Sequence, residues 1–256
     1  MSGDENRDVE PVERVAPRLP RPAFMRQRWR DVAFVHWAVE PGRVSGLMPP
    51  GVRPDTHEGH TYVGLVLFRV VDVGPPRGPA VPWGGRFLET NVRLYSVDPH
   101  GRRGVVFLSL DANHLPLVAG ARFGLGLPYR WGRSRHFSRP VGGGREHTYE
   151  TRLRHPGATG ASRQVVVLAG APVATSDLDA FLTARWRLHV AHLGQTWEVP
   201  VAHQPWPLQM AEVAASDDQL LGTVGLGELA VRRPDHVAFS RGVDTLVGLP
   251  GRVRRH

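Results

Sequence analysis

The chain has 256 residues and a formal net charge of +8 at pH 7, with 41% hydrophobic and 22% charged residues. These are the proportions of an ordinary globular protein large enough to bury a substantial core. It has no cysteine, and all 32 Lys/Arg positions are arginine. Disulfides, thiolate nucleophiles, cysteine-ligated metals, lysine Schiff bases, covalently held pyridoxal phosphate and P-loop lysines are therefore excluded.

Residues 1–23 combine charge and proline with little apolar content, and they read as a disordered tail. Residues 24–248 read as one domain and 249–256 as a basic C-terminal tail. The opening "MSGDENRDVEPVERVAP" has no apolar signal segment, and no run approaches the roughly 18 apolar residues of a membrane span. A cytoplasmic location without membrane contact is expected.

In chain order, "VAFVHWAV" (32–39) is β-rich, and "TYVGLVLFRVVDV" (61–73) is a nearly continuous apolar run, the pattern of a strand buried on both faces. "FLETNVRLYSV" (87–97) and "GVVFLSLDA" (104–112) flank the turn signal "DPHGRR" and predict an antiparallel hairpin. Asn113 precedes a predicted helix over 114–125 that stops near Gly124 and Gly126. Further strands are expected at 145–154, 163–169, 185–191, 195–202 and 236–240. A second helix over 176–186 opens with Ser176 and Asp179 in a near capping box. Many strands with a few short helices predict an α+β, mostly β fold, built on a barrel or strongly curved sheet.

The strand 87–97 carries the richest chemistry. Alternation places Glu89, Asn91, Arg93 and Tyr95 on one face, with Leu88, Thr90, Val92 and Leu94 on the other. A carboxyl, an amide, a guanidinium and a phenol on one surface suit a polar or anionic ligand, since arginine grips carboxylates bidentately. The same alternation predicts Phe107, Ser109 and Asp111 on one face of the next strand. His203 and Trp206, amid the prolines of "AHQPWPL", are candidates for a pocket wall. His236, Ala238 and Ser240 share a strand face, but no nucleophile-elbow motif exists.

The pairs His57/His60 and His189/His192 have metal-like spacing but no third ligand, so no metal and no cofactor are expected. The arginine clusters "RQRWR", "RWGRSRHFSR" and "GRVRRH" come without any nucleic-acid-binding signature and read as solvated surface. In "ARFGLGLPYR" (121–130) the glycines follow a helix and precede Pro128. That is a helix C-terminal cap leading into extended chain, not a phosphate cradle.

Taken together, "FVHWAVEP", "LMPPGVRPDTHEGHTYVGLVLFRV", "FLETNVRLY", "VFLSLDA", "RFGLGLPY", "FLTARWRL" and "HQPWPL" resemble the uncharacterised YqjF-like family, domain of unknown function 2071. This family is similar in fold to acetoacetate decarboxylase. The resemblance implies a strongly curved antiparallel sheet closing around a barrel- or cone-like cavity. The decarboxylases carry a Gly-Arg-Glu-x-x-Gly-x-Pro-Lys-Lys stretch whose first lysine forms the Schiff base. Here Arg122, Gly126 and Pro128 match it, Phe123 replaces the glutamate, and Tyr129 and Arg130 stand at the lysines. Glu89 matches the strand glutamate near that lysine.

The imine route is closed in this chain. Two functional readings remain, beside a structural one in which the chain is an oligomer whose cavity is filled by side chains and binds nothing. One is a non-covalent binder of a small polar or anionic metabolite, using Asn91, Arg93, Tyr95, Ser109, Arg122, Arg130, His203 and Trp206. The other is a lyase, hydratase or isomerase using Glu89 or Tyr129 as general acid/base. A homo-oligomer is left open.

Overall fold

The computed structural model describes residues 9–81 and 85–254, apart from the side chains of Leu117 and Phe123. The strands are β1 (Ala23–Val39), β2 (Arg53–Pro54), β3 (Thr61–Gly74), β4 (Phe87–Val97), β5 (Arg103–Ala112), β6 (Tyr129–Val141), β7 (Gly144–Leu153), β8 (Ser162–Pro172), β9 (Arg187–His192), β10 (Gln195–His203), β11 (Leu208–Asp218), β12 (His236–Gly248) and β13 (Gly251–Arg252). The helices are α1 (Pro41–Val44), α2 (Leu115–Leu125) and α3 (Asp177–Thr183).

One sheet holds all the strands in the order β13-β10-β9-β5-β6-β7-β8-β11-β12-β1-β3-β4-β2, and the pairings β4–β5 and β10–β12 close it on itself. Hydrogen bonding therefore runs round two rings that share β12, β1, β3, β4 and β5. The first ring is completed by β9 and β10, the second by β6, β7, β8 and β11.

This topology explains the sequence of β3. Alternate residues of a shared strand point into different rings. Tyr62, Val66, Phe68 and Val70 join Phe34, Leu110, Leu188 and Val199 in one core. Val63, Leu65 and Leu67 join Val35, Leu94, Tyr149 and Val167 in the other. From Tyr62 to Phe68 the strand has a core on each side and no solvent face, so its apolar run there is continuous.

β5 pairs parallel with β6, in the register Leu110↔Tyr129 and Asp111↔Arg130. Parallel neighbours need a crossover, and α2 provides it. The β4–β5 hairpin forms as the turn signal predicts. At α3, the Ser176 hydroxyl accepts from the Asp179 N–H while Asp179 accepts from the Ser176 N–H, completing the capping box.

The expected tail is described only from residue 9, and its described part docks. The Glu10 carboxylate takes the Arg103 N–H at 2.8 Å, and Trp186 Nε1 donates to Glu13 O at 2.8 Å. Arg21 donates to Glu198 at 2.8 Å. At the other end, β13 pairs with β10 and Val253 is buried. Residues 1–8 and 255–256 of the two expected tails lie outside the described residues.

Candidate functional site

The first ring encloses a cavity of about 590 Å³, within the usual range for small-molecule sites. Its wall is largely apolar and includes Trp29, Phe107, Leu110, Leu127, Val199 and Trp206. Glu89, Arg93, Tyr129 and His203 open onto it.

Glu89 and Tyr129 are both buried, and the Tyr129 hydroxyl donates to Glu89 Oε2 at 2.8 Å. Burial raises the Glu89 pKa to about 7; hydrogen bonds from Tyr129 and Asn91 oppose this, and Asp111 adds to it. Burial and then the neighbouring Glu89 push the Tyr129 phenol well above its usual range. A carboxyl that takes up or gives up a proton near neutrality is what acid–base chemistry requires.

Arg93 is half-buried and has no carboxylate within 4.0 Å among the described residues. Its Nε and Nη2 donate to the Tyr95 hydroxyl at 3.2 and 3.1 Å, and Nη2 also reaches Leu182 O at 2.8 Å. The other arginines of the wall are paired: Arg185 with Asp55 at 2.5 Å, and Arg187 with Glu10 at 2.5 Å. His203 donates from Nδ1–H to Gln204 O at 2.6 Å, and burial lowers its pKa to about 4, so it is neutral. Trp206 Nε1 donates to Thr183 O at 3.1 Å, and its ring stacks on Trp29 at 5.9 Å. The Trp29 indole N–H has no hydrogen-bond partner among the described residues.

The model of domain of unknown function 2071 (DUF2071), described as an uncharacterized conserved protein, matches residues 26–244. The chain belongs to this family. The DUF2071 chain is 30% identical to the uncharacterized protein YqjF of Bacillus subtilis (strain 168) over 205 residues, 79% of this chain and 82% of that protein. Among solved structures it is similar to the enduracididine biosynthesis enzyme MppR complexed with pyruvate, with TM-score 0.64 and 16% identity over 93% of this chain and 92% of that one. It is also similar to an acetoacetate decarboxylase-like enzyme from Sphingomonas wittichii RW1, with TM-score 0.63 and 14% identity over 91% and 94% of the two chains. At these identities the likeness establishes the fold: a mostly β, strongly curved sheet of the acetoacetate decarboxylase type.

Not every residue expected at the site of the DUF2071 chain reaches it. Arg130 points into the second ring, where it grips Asp111 bidentately at 2.6 and 2.9 Å and donates to Thr223 at 2.6 Å. Because side chains alternate, a strand that sends Tyr129 to the cavity sends Arg130 the opposite way. Arg122 is exposed at the end of α2 and donates to Tyr129 O at 3.0 Å, holding the backbone rather than facing the cavity. The Phe123 side chain lies outside the described residues.

Ser109 is also displaced, and a bulge is the reason. The β4–β5 register slips between Val92 and Arg93, which pair with Ser109 and Phe107. The extra residue inverts the alternation. Phe107 and Leu110 thus both line the cavity, while Asp111 turns to Arg130. Ser109 is fully buried, with its hydroxyl unpartnered among the described residues. Asn91 and Tyr95 flank the site from behind: Asn91 acts on Glu89, Tyr95 on Arg93. Trp29, Thr183, Arg185 and Arg187 line the wall without having been singled out in the sequence. Trp29 and Arg187 carry no local motif, and only the closing of the ring brings them together.

Among the described residues, no three His, Asp or Glu side chains gather as a metal site would need. His57 and His60 face each other across a single β-bridge, and His189 Nδ1 lies 2.9 Å from Ser96 Oγ.

Proposed function

We propose that this DUF2071 protein binds a small carboxylate non-covalently in the first-ring cavity, with Arg93 meeting the negative charge and the Glu89–Tyr129 pair orienting the remainder. The observation that carries this reading is Arg93, a cation at the wall of a largely apolar cavity with no carboxylate within 4.0 Å among the described residues. A half-buried guanidinium without a counter-ion is costly, and an anionic ligand would offset that cost. MppR, a structural neighbour, has been captured with pyruvate. The apolar wall would accept the body of a somewhat larger acid. With no lysine in the chain, binding does not proceed through an imine.

The test is native mass spectrometry beside a pyruvate titration followed by tryptophan fluorescence, since Trp29 and Trp206 line the cavity. A small mass lost on denaturation, or a saturable quench, supports the reading. A clean apo mass with no saturable response to pyruvate overturns it.

The Glu89 pKa of about 7 favours a second reading, acid–base catalysis of the isomerase type. The Glu89 carboxylate would remove a proton from the carbon next to a carbonyl and return it to the enolate. Exchange of the pyruvate methyl protons for deuterium in heavy water, lost in Glu89→Gln while binding survives, supports catalysis. Exchange no faster than in buffer removes it.

A further inference from the structure

Behind Arg93 a line of hydrogen bonds leads out of the cavity wall. The Tyr95 hydroxyl, fully buried, lies 2.8 Å from His36 Nε2. His36 Nδ1 lies 3.0 Å from His236 Nδ1, and His236 Nε2 lies 2.8 Å from Asp179 Oδ1. His36 is fully buried, whereas the His236 and Asp179 side chains are 13% and 12% exposed. The line therefore runs from near the surface to the guanidinium at the cavity. None of Asp179, His236 or His36 lines the cavity.

Proton counting gives this line two complete states. Burial works against ionisation of Asp179, but hydrogen bonds from His236 and Ser176 outweigh it and bring the carboxyl down to about 2, so it accepts. His236 thus donates from Nε2. Burial first, then His236 and Arg93, hold His36 well below its usual range, so it is neutral and carries one proton. When His236 is neutral, its bare Nδ1 accepts from His36 Nδ1–H, and His36 Nε2 accepts from Tyr95 O–H. When His236 is an imidazolium, its Nδ1–H donates to His36. His36 then donates from Nε2 to the Tyr95 oxygen, and Tyr95 O–H turns to Leu182 O, 2.9 Å away. Every contact both states need is present in one geometry.

The two states treat Arg93 differently. In the first, both lone pairs of the Tyr95 oxygen are free for Arg93 Nε and Nη2. In the second, His36 occupies one of them and Tyr95 competes with Arg93 for Leu182 O. We propose that Asp179, His236, His36 and Tyr95 are positioning residues for Arg93, and that a proton taken up at His236 reverses the hydrogen bonds along them and releases the Arg93 guanidinium toward an anion in the cavity. The released state also places a second positive charge behind the wall, so anion affinity rises as the pH falls. This coupling rests on the cavity reading above, whereas the reversal itself does not.

Charged and titratable groups reach His236 from several elements. Asp179 comes from α3, His36 from β1, and Arg93 and Tyr95 from β4 beyond it. Asp235 precedes it in the chain and is taken up by Arg232 and the Ala38 N–H. Tyr62 of β3 packs edge-on against Tyr95 at 6.5 Å. β3 makes room through Gly64, where a Cβ would lie 3.0 Å from His36 Cδ2 and 3.2 Å from Arg93 Cγ.

The decisive measurement is the imidazole ¹⁵N spectrum of the full chain over a pH series that spans both protonation states of His236. His36 is expected to stay neutral and move its proton from Nδ1 to Nε2 as the pH falls, in step with a shift of the Arg93 Nε–H signal. A His36 that keeps one tautomer throughout, or that becomes an imidazolium, overturns the proposal. No variant has to fold for this arm to decide. The coupling to binding is read from pyruvate affinity against pH in Glu89→Gln, where the other titrating group is absent. Affinity is expected to tighten about tenfold on acidification, roughly one pKa unit of linkage, and to lose that slope when His236→Gln is added. An unchanged slope overturns the coupling. Pyruvate that fails to bind the unsubstituted chain at any pH overturns the cavity reading alone, because the tautomer measurement still stands.

Discussion

Tyr129 O–H donates to Glu89 Oε2 at 2.8 Å and so joins the first residue of β6 to β4 across the intervening strand β5. The hydrogen bond favours the carboxylate, whereas burial favours the acid, and the balance leaves Glu89 at about 7. The protein thus holds near neutrality a proton that an exposed glutamate would release.

Linkage turns that into a stability prediction. The folded pKa of about 7 stands above the ordinary glutamate value of 4.5, so the native state binds a proton that the unfolded chain releases between those values. The contribution of Glu89 is fully present below pH 4.5 and is lost as the pH rises through about 7, by roughly 3 kcal/mol in all. Glutamine keeps an oxygen for Tyr129 and cannot ionise. Glu89→Gln should therefore raise the urea midpoint at about pH 8 and change it little at about pH 5. The same shift at both values would mean that ionisation is not its source.

Arg93 is predicted to dominate affinity. Arg93→Met keeps much of the side-chain bulk and removes the charge, and pyruvate affinity should fall at least about tenfold, on the order of 1.4 kcal/mol. Arg122→Ala, at the exposed end of α2, should leave affinity within about twofold, as surface changes away from a site usually do. A calorimetric titration that ranked the two variants the other way would move the anion site to the end of α2.

The sequence made most of the sheet legible, because alternation and turn chemistry are local. β4, β5 and the Ser176–Asp179 box follow from residues within a few positions of one another. β6 and β11 were missed: "RWGRSRHFSR" and "LQMAEVAASDD" have one solvated face and carry charge or small residues where a strand reader looks for β-branched ones. Two residues expected at the site lie away from the cavity, each for its own reason. Ser109 follows a bulge that no residue type announces, and Arg130 answers to Asp111 rather than to a ligand. The two-sided burial of β3 was visible in its apolar run, but not that two rings share the strand.

The second ring holds a charge network whose main effect should be on stability. Asp111 takes both arms of Arg130 and lies 3.8 Å from Arg163, which pairs with Asp218 at 2.6 Å. Arg163 and Asp111 are completely buried. Asp111→Asn removes the one anion between two buried guanidinium groups and should cost about 3–5 kcal/mol. Chemical denaturation measures it. A loss under about 1 kcal/mol would mean that Asp218 alone compensates Arg163 and that Arg130 is solvated through Thr223.

Gly126 sets where Tyr129 emerges. Its φ is +67°, and an added Cβ would lie 2.6 Å from His192 Nδ1 and 2.9 Å from His192 Cβ. Alanine there meets both a left-handed backbone and a side-chain clash, together costing roughly 1–3 kcal/mol. The larger consequence is local. Gly126 ends α2 through its N–H to Arg122 O at 3.1 Å, and Tyr129 follows within the same turn out of the helix. If the clash displaces Tyr129, Glu89 loses a hydrogen bond that lowers its pKa. The carboxyl midpoint, read by ¹³C spectroscopy, should then move upward from about 7 in Gly126→Ala. Gly120 provides the contrast: it lies inside α2 with nothing within 4 Å of an added Cβ. Gly120→Ala should stabilise the fold by up to about 1 kcal/mol through helix propensity and leave the Glu89 midpoint where it is. A Glu89 midpoint unmoved in both variants would show that Tyr129 is held by its strand register with Leu110, not by the turn that precedes it.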